Sequence, residues 1–378
     1  MLGCSCSGAR YGPSFPKKIE MIFLVLLCMV LIVGCQTSGV MDGSHPAAGC
    51  RYASYFSILT STEDSLQVRG VVAISPSDGT TDTLMLHAPL KKVVCMSSSS
   101  VSALSAVGAD SVIVGVSGLD YLSDQEVLAR AEQGEVCDLG HGDSFDFETL
   151  VRLSPDLVVA YTVGESDPPY LTKIRRLGLP VLVIYDHLEA HPLARAEYVR
   201  LFGALTGRLS EADAFFRNVC DSYLSLCVED GDADPVSVLM NIPYSDSWYI
   251  PGRESYMSRL IRDAGGLVMG AENGSASRVI TIEEAYRLSQ KADMWLCPGF
   301  CRTMDQLISQ HHLFPHFGPV EKGLPVYNNI RKMNAGGGND FWESGALRPD
   351  LILQDLRKIF SPSEAFDRLE LNYFIRLQ

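Results

Sequence analysis

Two Rossmann-like α/β lobes with parallel sheets, joined by a long helical segment, are what this sequence predicts, and three observations carry that expectation. Short apolar runs of strand character alternate with helical patterns on both sides of the middle of the chain. Residues 192–228 between them have the period of a helix, and one segment from each half aligns with the other. Buried strands alternating with helices imply a parallel sheet covered on both faces. A chain of 378 residues is long enough for two domains of ordinary size.

The 47% hydrophobic and 20% charged fractions belong to a globular protein with sizeable cores. A formal net charge of −14, with no basic patch interleaved with aromatics, argues against nucleic acid as a partner. The N-terminus carries the most specific signal. Lys17 and Lys18 precede the apolar run MIFLVLLCMVLIVGC, which ends at Cys35. A positive region, a short apolar region and a small residue before the cut are the signature of a secretory signal over 1–35. The run is short for a membrane span. Ile32-Val33-Gly34-Cys35 resembles the bacterial lipobox, which implies cleavage before Cys35 and a lipid on that cysteine. The protein is then exported and anchored to a cell-envelope membrane, facing the periplasm or the exterior. An uncleaved anchor or a buried apolar segment is the alternative. Residues 1–16 fit neither reading, which points to a downstream translation start. Residues 36–50 are small and polar and read as a flexible tether.

Of 11 cysteines, Cys4, Cys6, Cys28 and Cys35 belong to that leader. Cys50, Cys95, Cys137, Cys220, Cys227, Cys297 and Cys301 are widely spread, with no CxxC pair to suggest zinc or thioredoxin chemistry. Cys95 and Cys297 sit in apparent strands as small apolar residues, and Cys297 with Cys301 is the nearest candidate pair for oxidation.

The first lobe is assigned to 51–190. YFSIL and LQVRGVVAI predict a hairpin at its edge, after which strands are expected at 91–96, 111–118, 156–163 and 181–185. Helices fall between them over 101–109, 145–153 and near 171–177. The link is 191–229. Val199, Phe202, Leu205, Leu209, Ala212, Phe215, Val219, Tyr223 and Leu226 recur every three to four residues, and Gly203 and Gly207 divide the segment into a shorter and then a longer helix. Ser210 is the expected N-cap of the second, with Asp213 as a weak capping box. A helix of that length, spanning ~27 Å, suits a rigid spine between lobes, although an ordinary peripheral helix has the same pattern. In the second lobe, 230–378, PVSVLMNI, DMWLCPG and GLPVYNN are strands, and SWYIPG is a strand or turn. ESYMSRLIRDAGG is a helix stopped by Gly265 and Gly266, TIEEAYRLSQ is a second helix, and 348–360 is a closing helix with Pro349 in its first turn.

FDFETLVRLSPDLVVA and ITIEEAYRLSQKADMWL align so that Glu148 falls on Glu283, Arg152 on Arg287, Leu153 on Leu288 and Ser154 on Ser289. After a two-residue insertion Asp156 falls on Asp293. Each segment is a helix feeding a buried strand with a glutamate at its start. Chance agreement of common helix residues is the competing explanation.

Enzyme signatures fail. There is no GxxxxGK[ST] loop, and Leu119 breaks the nucleophile-elbow pattern around Ser117. Gly336-Gly337-Gly338 is read as a flexible or tight loop, and His311, His312 and His316 as solvated loop residues. Open α/β sheets bind ligands at loops beyond the carboxyl ends of their strands. Ser97 to Ser100 occupy such a place in the first lobe, and Phe300 and Arg302 in the second. Trp248, Tyr249 and Trp342 adjoin glycine or proline turns and suit the walls of a site for a planar or bulky molecule, with core packing as the alternative for each tryptophan.

KKVVCMSSSSVSALSAVGADSVIVGVSG, FDFETLVRLSPDLVVAY, SWYIPGRESYMSRLIRDAGG and VYNNIRKMNAGGGNDFWESGALRPDLILQDLRKIFSP together resemble the substrate-binding lipoproteins of ABC importers for iron chelates, haem and cobalamin. The resemblance runs from about residue 88 to 362. It implies a class III periplasmic binding protein that captures a ferric siderophore or haem between its lobes, without catalysis or a catalytic cofactor. It also implies delivery to a permease dimer driven by a cytoplasmic ATPase, with Glu148 and Glu283 docking against permease arginines. Ser98, Tyr121, Trp248, Tyr249, Arg302 and Trp342 become the expected ligand contacts. Serines and aromatics stand where zinc and manganese binders carry histidines and carboxylates, so a bare metal ion is not expected. Cobalamin is the alternative cargo. An exported enzyme on the same scaffold, and an adhesin or structural lipoprotein without a cleft, are the other readings.

Overall fold

The computed structural model describes residues 49–60, 68–76, 79, 81–87, 89–162, 168–228, 234–361 and 370–378. The expected signal, Cys35 and nearly all of the tether lie outside the described residues. Strands β1 (Phe56–Thr60), β2 (Val68–Ile74) and β3 (Thr81–His87) form an antiparallel sheet in the order β1-β2-β3. The first two are the expected hairpin. The third escaped notice because Thr81, Asp82, Thr83 and Met85 are exposed and leave no apolar run.

The first-lobe sheet contains β4 (Val93–Cys95), β5 (Ile113–Val116), β6 (Cys137–Asp138), β7 (Leu157–Tyr161) and β8 (Val181–Ile184). Its order is β6-β5-β4-β7-β8, parallel throughout. The apolar strands β4, β7 and β8 are buried almost end to end, as a sheet covered on both faces requires. Beyond the link lie β9 (Val236–Met240), β10 (Trp248–Ile250), β11 (Gly266–Val268), β12 (Arg278–Ile280), β13 (Met294–Leu296), β14 (Val326–Asn328) and β15 (Ile375–Arg376). The second-lobe sheet has the order β11-β9-β13-β14-β15, parallel except for β15, while β10 and β12 form a separate antiparallel ribbon.

The link is a pair of helices, Pro192–Thr206 of 15 residues and Leu209–Leu226 of 18, packed against each other. Gly203 allows the approach, since a Cβ there would lie 2.5 Å from that of Ala212. Gly207 takes φ +74° to turn the chain between them. The second helix starts at Leu209 with Arg208 as its N-cap residue, which moves Ser210 inside the first turn. Ser210 bonds Glu211, and Asp213 pairs with Arg200 at 2.7 Å, so the expected capping box does not form. Two buried glutamates beside and within the first helix hold the incoming chain. Arg51, Tyr52 and Ala53 donate backbone N–H bonds to Glu197, and Ser54 and Tyr55 donate to Glu189.

The internal alignment is reproduced in space. Asp156 accepts N–H bonds from Lys91 and Lys92 while its own N–H donates to the Lys92 carbonyl. Asp293 accepts from Ser237 N–H and donates back to the Ser237 carbonyl. Each aspartate thus ties the entry of β7 or β13 to the entry of the neighbouring β4 or β9.

Candidate functional site

Four adjacent parallel strands of the first lobe end at one cleft. Beyond β4 come Ser97, Ser98 and Ser99, beyond β5 Ser117, Gly118 and Tyr121, beyond β6 His141, and Tyr161 closes β7. The chain leads outward from β4 through β5 to β6 on one side and from β7 to β8 on the other, so the order reverses between β4 and β7, the point at which open α/β sheets bind ligands. The second lobe contributes Gly337, Gly338, Asn339 and Trp342. The cavity between them measures about 170 Å³.

Local bonds set each wall. Ser97 caps the helix Ser98–Ala106, accepting from the Ser100 N–H, and its hydroxyl lies 2.6 Å from that of Ser100 and 3.2 Å from that of Ser99. Asp138 accepts the N–H groups of Gly118 and Gly140 and shapes the turn below Tyr121. The Tyr121 and His141 rings meet edge to face at 5.3 Å. Burial pushes the Tyr121 phenol and the Cys95 thiol on the cleft floor upward, so both stay neutral at ordinary pH. On the opposite wall Asn334 folds the glycine turn, accepting from Gly338 N–H, while Asn339 is held between Asn329 and Phe341.

The lobes touch across the cleft by backbone and carboxylate. A Cβ on Gly336 would lie 2.0 Å from the Asp120 carbonyl oxygen, and one on Gly338 1.9 Å from that of Tyr121, so only glycine permits this approach. Asn334 donates to the Leu122 carbonyl at 2.8 Å. Glu343, 2% exposed, accepts the N–H of Ser123 at 2.8 Å and that of Asp124 at 2.8 Å. Burial pushes its carboxyl up to about 8, against the opposing pull of those N–H groups. Behind the cleft Arg195 of the link donates to the His187 carbonyl and lies 3.8 Å over the Tyr256 ring, and Tyr256 abuts Trp342.

Of the expected contacts, Ser98, Tyr121 and Trp342 come together here, and three do not. Trp248 is fully buried, stacks on Trp295 and Phe317, and donates its indole N–H to the Met240 carbonyl. It is a core residue of the second lobe. Strand alternation turns Tyr249 to the other face of β10, outside the cleft lining. Arg302 is exposed and bonds Gln306 and the Met333 carbonyl instead. His141 and Tyr161 were missed; Tyr161 ends an expected strand, where the rule that found the serines applies, while His141 follows the two-residue β6, which gives no sequence signal. The glycine triplet is a tight turn whose Asn334 N–H bonds the Gly338 carbonyl.

Glu148 and Glu283 are exposed, each the second residue of a short helix, Phe147–Leu153 and Ile282–Ser289. The backbone N–H of Glu283 itself and the hydroxyl of Thr281 hold the Glu283 carboxyl below its usual range. Among the described residues all cysteines, including Cys297 and Cys301, are free thiols, no group of histidine, cysteine and carboxylate residues could hold a metal ion, and no helix is long and apolar enough to cross a membrane.

Comparison with known proteins gives this geometry relatives. Residues 93–323 match the family model described as periplasmic binding protein. An uncharacterized lipoprotein of Methanocaldococcus jannaschii is 23% identical over 302 residues, 77% of this chain and 70% of its own. A possible iron-binding periplasmic solute-binding protein of Staphylococcus epidermidis superposes with TM-score 0.54 at 16% identity, covering 72% of this chain and 99% of that one. A periplasmic heme binding protein of Pseudomonas aeruginosa does so with TM-score 0.54 at 16% identity, covering 76% and 98%. A TroA-like periplasmic binding protein of Veillonella parvula gives 0.55 at 18% identity, covering 79% and 97%. Likenesses at these identities establish the fold.

Proposed function

The chain belongs to the periplasmic binding protein family, and from that premise we propose that it captures an iron chelate, a siderophore or haem, in the interlobe cleft and delivers it to the permease of an ABC importer. It is a binding protein, not an enzyme. The observation that carries the cargo site is the convergence of four parallel strand ends of one lobe on the 337–342 loop of the other. The names of its relatives, a possible iron-binding protein, a heme binding protein and a lipoprotein, support the cargo class and an anchored, extracytoplasmic place. Lipidation at Cys35 and docking of the permease by Glu148 and Glu283 belong to the same proposal. Two exposed carboxylates at equivalent helix starts suit a pair of arginines.

A void of about 170 Å³ lies below the ~300–1,000 Å³ of most small-molecule sites. A chelate therefore enters by parting the glycine turn from Asp120 and Tyr121, or lies partly outside. Cobalamin, the largest cargo considered, needs the widest parting.

The test is tryptophan emission of the full chain in detergent, titrated with ferric siderophores, haemin and cyanocobalamin, and with free Fe³⁺, Zn²⁺ and Mn²⁺ as controls. Of the three tryptophans only Trp342 lines the cleft. Saturable change with one chelate, absent in Trp342→Phe, is expected. Silence with every chelate, or a response to a bare ion alone, would sink the reading.

A further inference from the structure

None of the described residues lining the cleft is Asp, Glu, Lys or Arg. Val101, Val116 and Leu122 line it beside serine hydroxyls, phenols, an amide, glycine backbone, sulfur and an indole, and among the described lining residues His141 is the only one of a type that can carry a positive charge. At the start of the helix Ser98–Ala106, which lines the cleft, Ser97 accepts the Ser100 N–H and shares protons with the Ser99 and Ser100 hydroxyls. Beneath it lies Asp186, 9% exposed. Burial opposes its ionisation, but His187, Ser99 and Arg195 outweigh that and hold its carboxyl below the usual range, so a negative charge backs the helix start. Arg195, a buried cation behind the cleft, is already engaged with the His187 and Glu189 carbonyls and the Tyr256 ring. The expected cation for an anionic cargo, Arg302, is outside the lining, with its guanidinium donating to the Met333 carbonyl.

A charged group moved among these residues loses its water and gains no fixed counter-charge from them, whereas an uncharged polar surface meets hydroxyls at the ends of β4, β5 and β7. We propose that the cleft selects an electroneutral chelate over an anionic one. Ferric iron held by three hydroxamates, 3+ against three single negative charges, has that property, and ferric iron held by three catecholates, with net charge 3−, does not. This rests on the chelate reading above and narrows it.

The experiment compares ferrichrome, a neutral trihydroxamate, with ferric enterobactin, a trianionic tricatecholate, by Trp342 emission and by equilibrium dialysis of ⁵⁵Fe. Both chelates exceed the void of about 170 Å³, so fit to the unparted cleft does not favour either one, and the Ser98→Lys variant supplies the control for charge. The neutral chelate is expected to bind at least about tenfold tighter. Ser98→Lys, which places a cation at the cleft wall without touching the Ser97 cap, is expected to reduce or reverse that ratio. Equal or tighter binding of the trianion by the unmodified protein, or a ratio unmoved in a folded Ser98→Lys protein, overturns charge selection and leaves the chelate reading intact. Failure of both chelates in dialysis as well as emission overturns both.

Discussion

In the first lobe β4 is flanked by β5 and β7, with β8 outside; in the second β9 is flanked by β11 and β13, with β14 outside. The reciprocal bonds of Asp156 and Asp293 occupy the same place in each. Above this shared skeleton the lobes diverge. The first lobe opens the carboxyl ends of its strands to the cleft through serines, Tyr121, His141 and Tyr161. The second covers part of its sheet with Trp248, Trp295, Phe314 and Phe317, four fully buried rings in mutual contact, and reaches the cleft through one loop. Equivalent frameworks thus leave one lobe as the binding wall and the other as a packed body carrying a clamp.

The pair Trp248 and Trp342 gives the sharpest way to break that division. Trp248→Ala removes a ring from the aromatic core and should cost about 3–5 kcal/mol in denaturant unfolding. Trp342→Ala, at a half-buried cleft position, should cost about 1 kcal/mol or less and abolish the emission response to ligand. A Trp248→Ala protein of near-normal stability with impaired binding would return that residue to the cleft and erase the asymmetry.

The clamp comes next in size. Gly338→Ala puts a Cβ against the Tyr121 carbonyl, a backbone atom that cannot swing aside. The interlobe contact should weaken by about 1–3 kcal/mol, read as faster ligand dissociation and a larger radius of gyration in solution scattering. An unchanged dissociation rate would show that the cleft opens without moving this turn.

What was legible in the sequence divides along the same line. Apolar strand runs, helix periodicity and the Glu148–Glu283 alignment depend on local pattern, and they yielded the two sheets, the helix pair Pro192–Thr206 and Leu209–Leu226, and the equivalent aspartates. β6, β11 and β15 are two or three residues long and too short to show a period. The cleft was half legible. Strand-end position found Ser98 and would have found Tyr161, whereas His141 follows β6, which leaves no strand signal to mark its end. Trp248 was misplaced because three residues of strand cannot reveal which face is buried; that depends on Trp295, Phe314 and Phe317, contributed from 47 to 69 positions further along the chain. Glu343 carries no signal of its own, since its partners are backbone N–H groups of residues 123 and 124.

Glu343 also gives the clamp a pH dependence. Its carboxyl is raised by burial from 4.5 to about 8, with the Asp340 and Asp124 charges adding and the Ser123 and Asp124 N–H groups opposing; Lys332 pairs with Asp340 at 3.2 Å. A carboxyl raised in the folded protein contributes stability that is complete below its unfolded value and lost as pH rises through about 8. Glu189, also raised to about 8 by burial, acts in the same direction at the link. Unfolding free energy should therefore fall between about pH 5 and about pH 9, and Glu343→Gln, which cannot ionise, should flatten part of the fall, by a difference on the order of 1 kcal/mol. Parallel pH profiles for the two proteins would show that Glu343 does not titrate in the clamp.

The smallest expected effect on the protein itself is at two exposed helix starts, one in each lobe, where the lobes are again alike. Glu148 and Glu283 are exposed at the second position of their helices, and neither side chain forms part of a core. Glu148→Ala and Glu283→Ala should shift stability by no more than about 0.5 kcal/mol and leave ligand emission unchanged. With the permease and ATPase reconstituted in vesicles, either change should lower ligand-stimulated ATP hydrolysis, and the double change should abolish it, because a two-point contact between rigid lobes loses its register when one point fails. His311 exerts a favourable charge effect on Glu283, while burial and His312 hold the His311 imidazole below its usual range. The second lobe should therefore be the more salt-sensitive contact only if that histidine charges on docking. Equal salt dependence for the two single variants would mean that the lobes present equivalent carboxylates, and that their asymmetry is confined to the cleft.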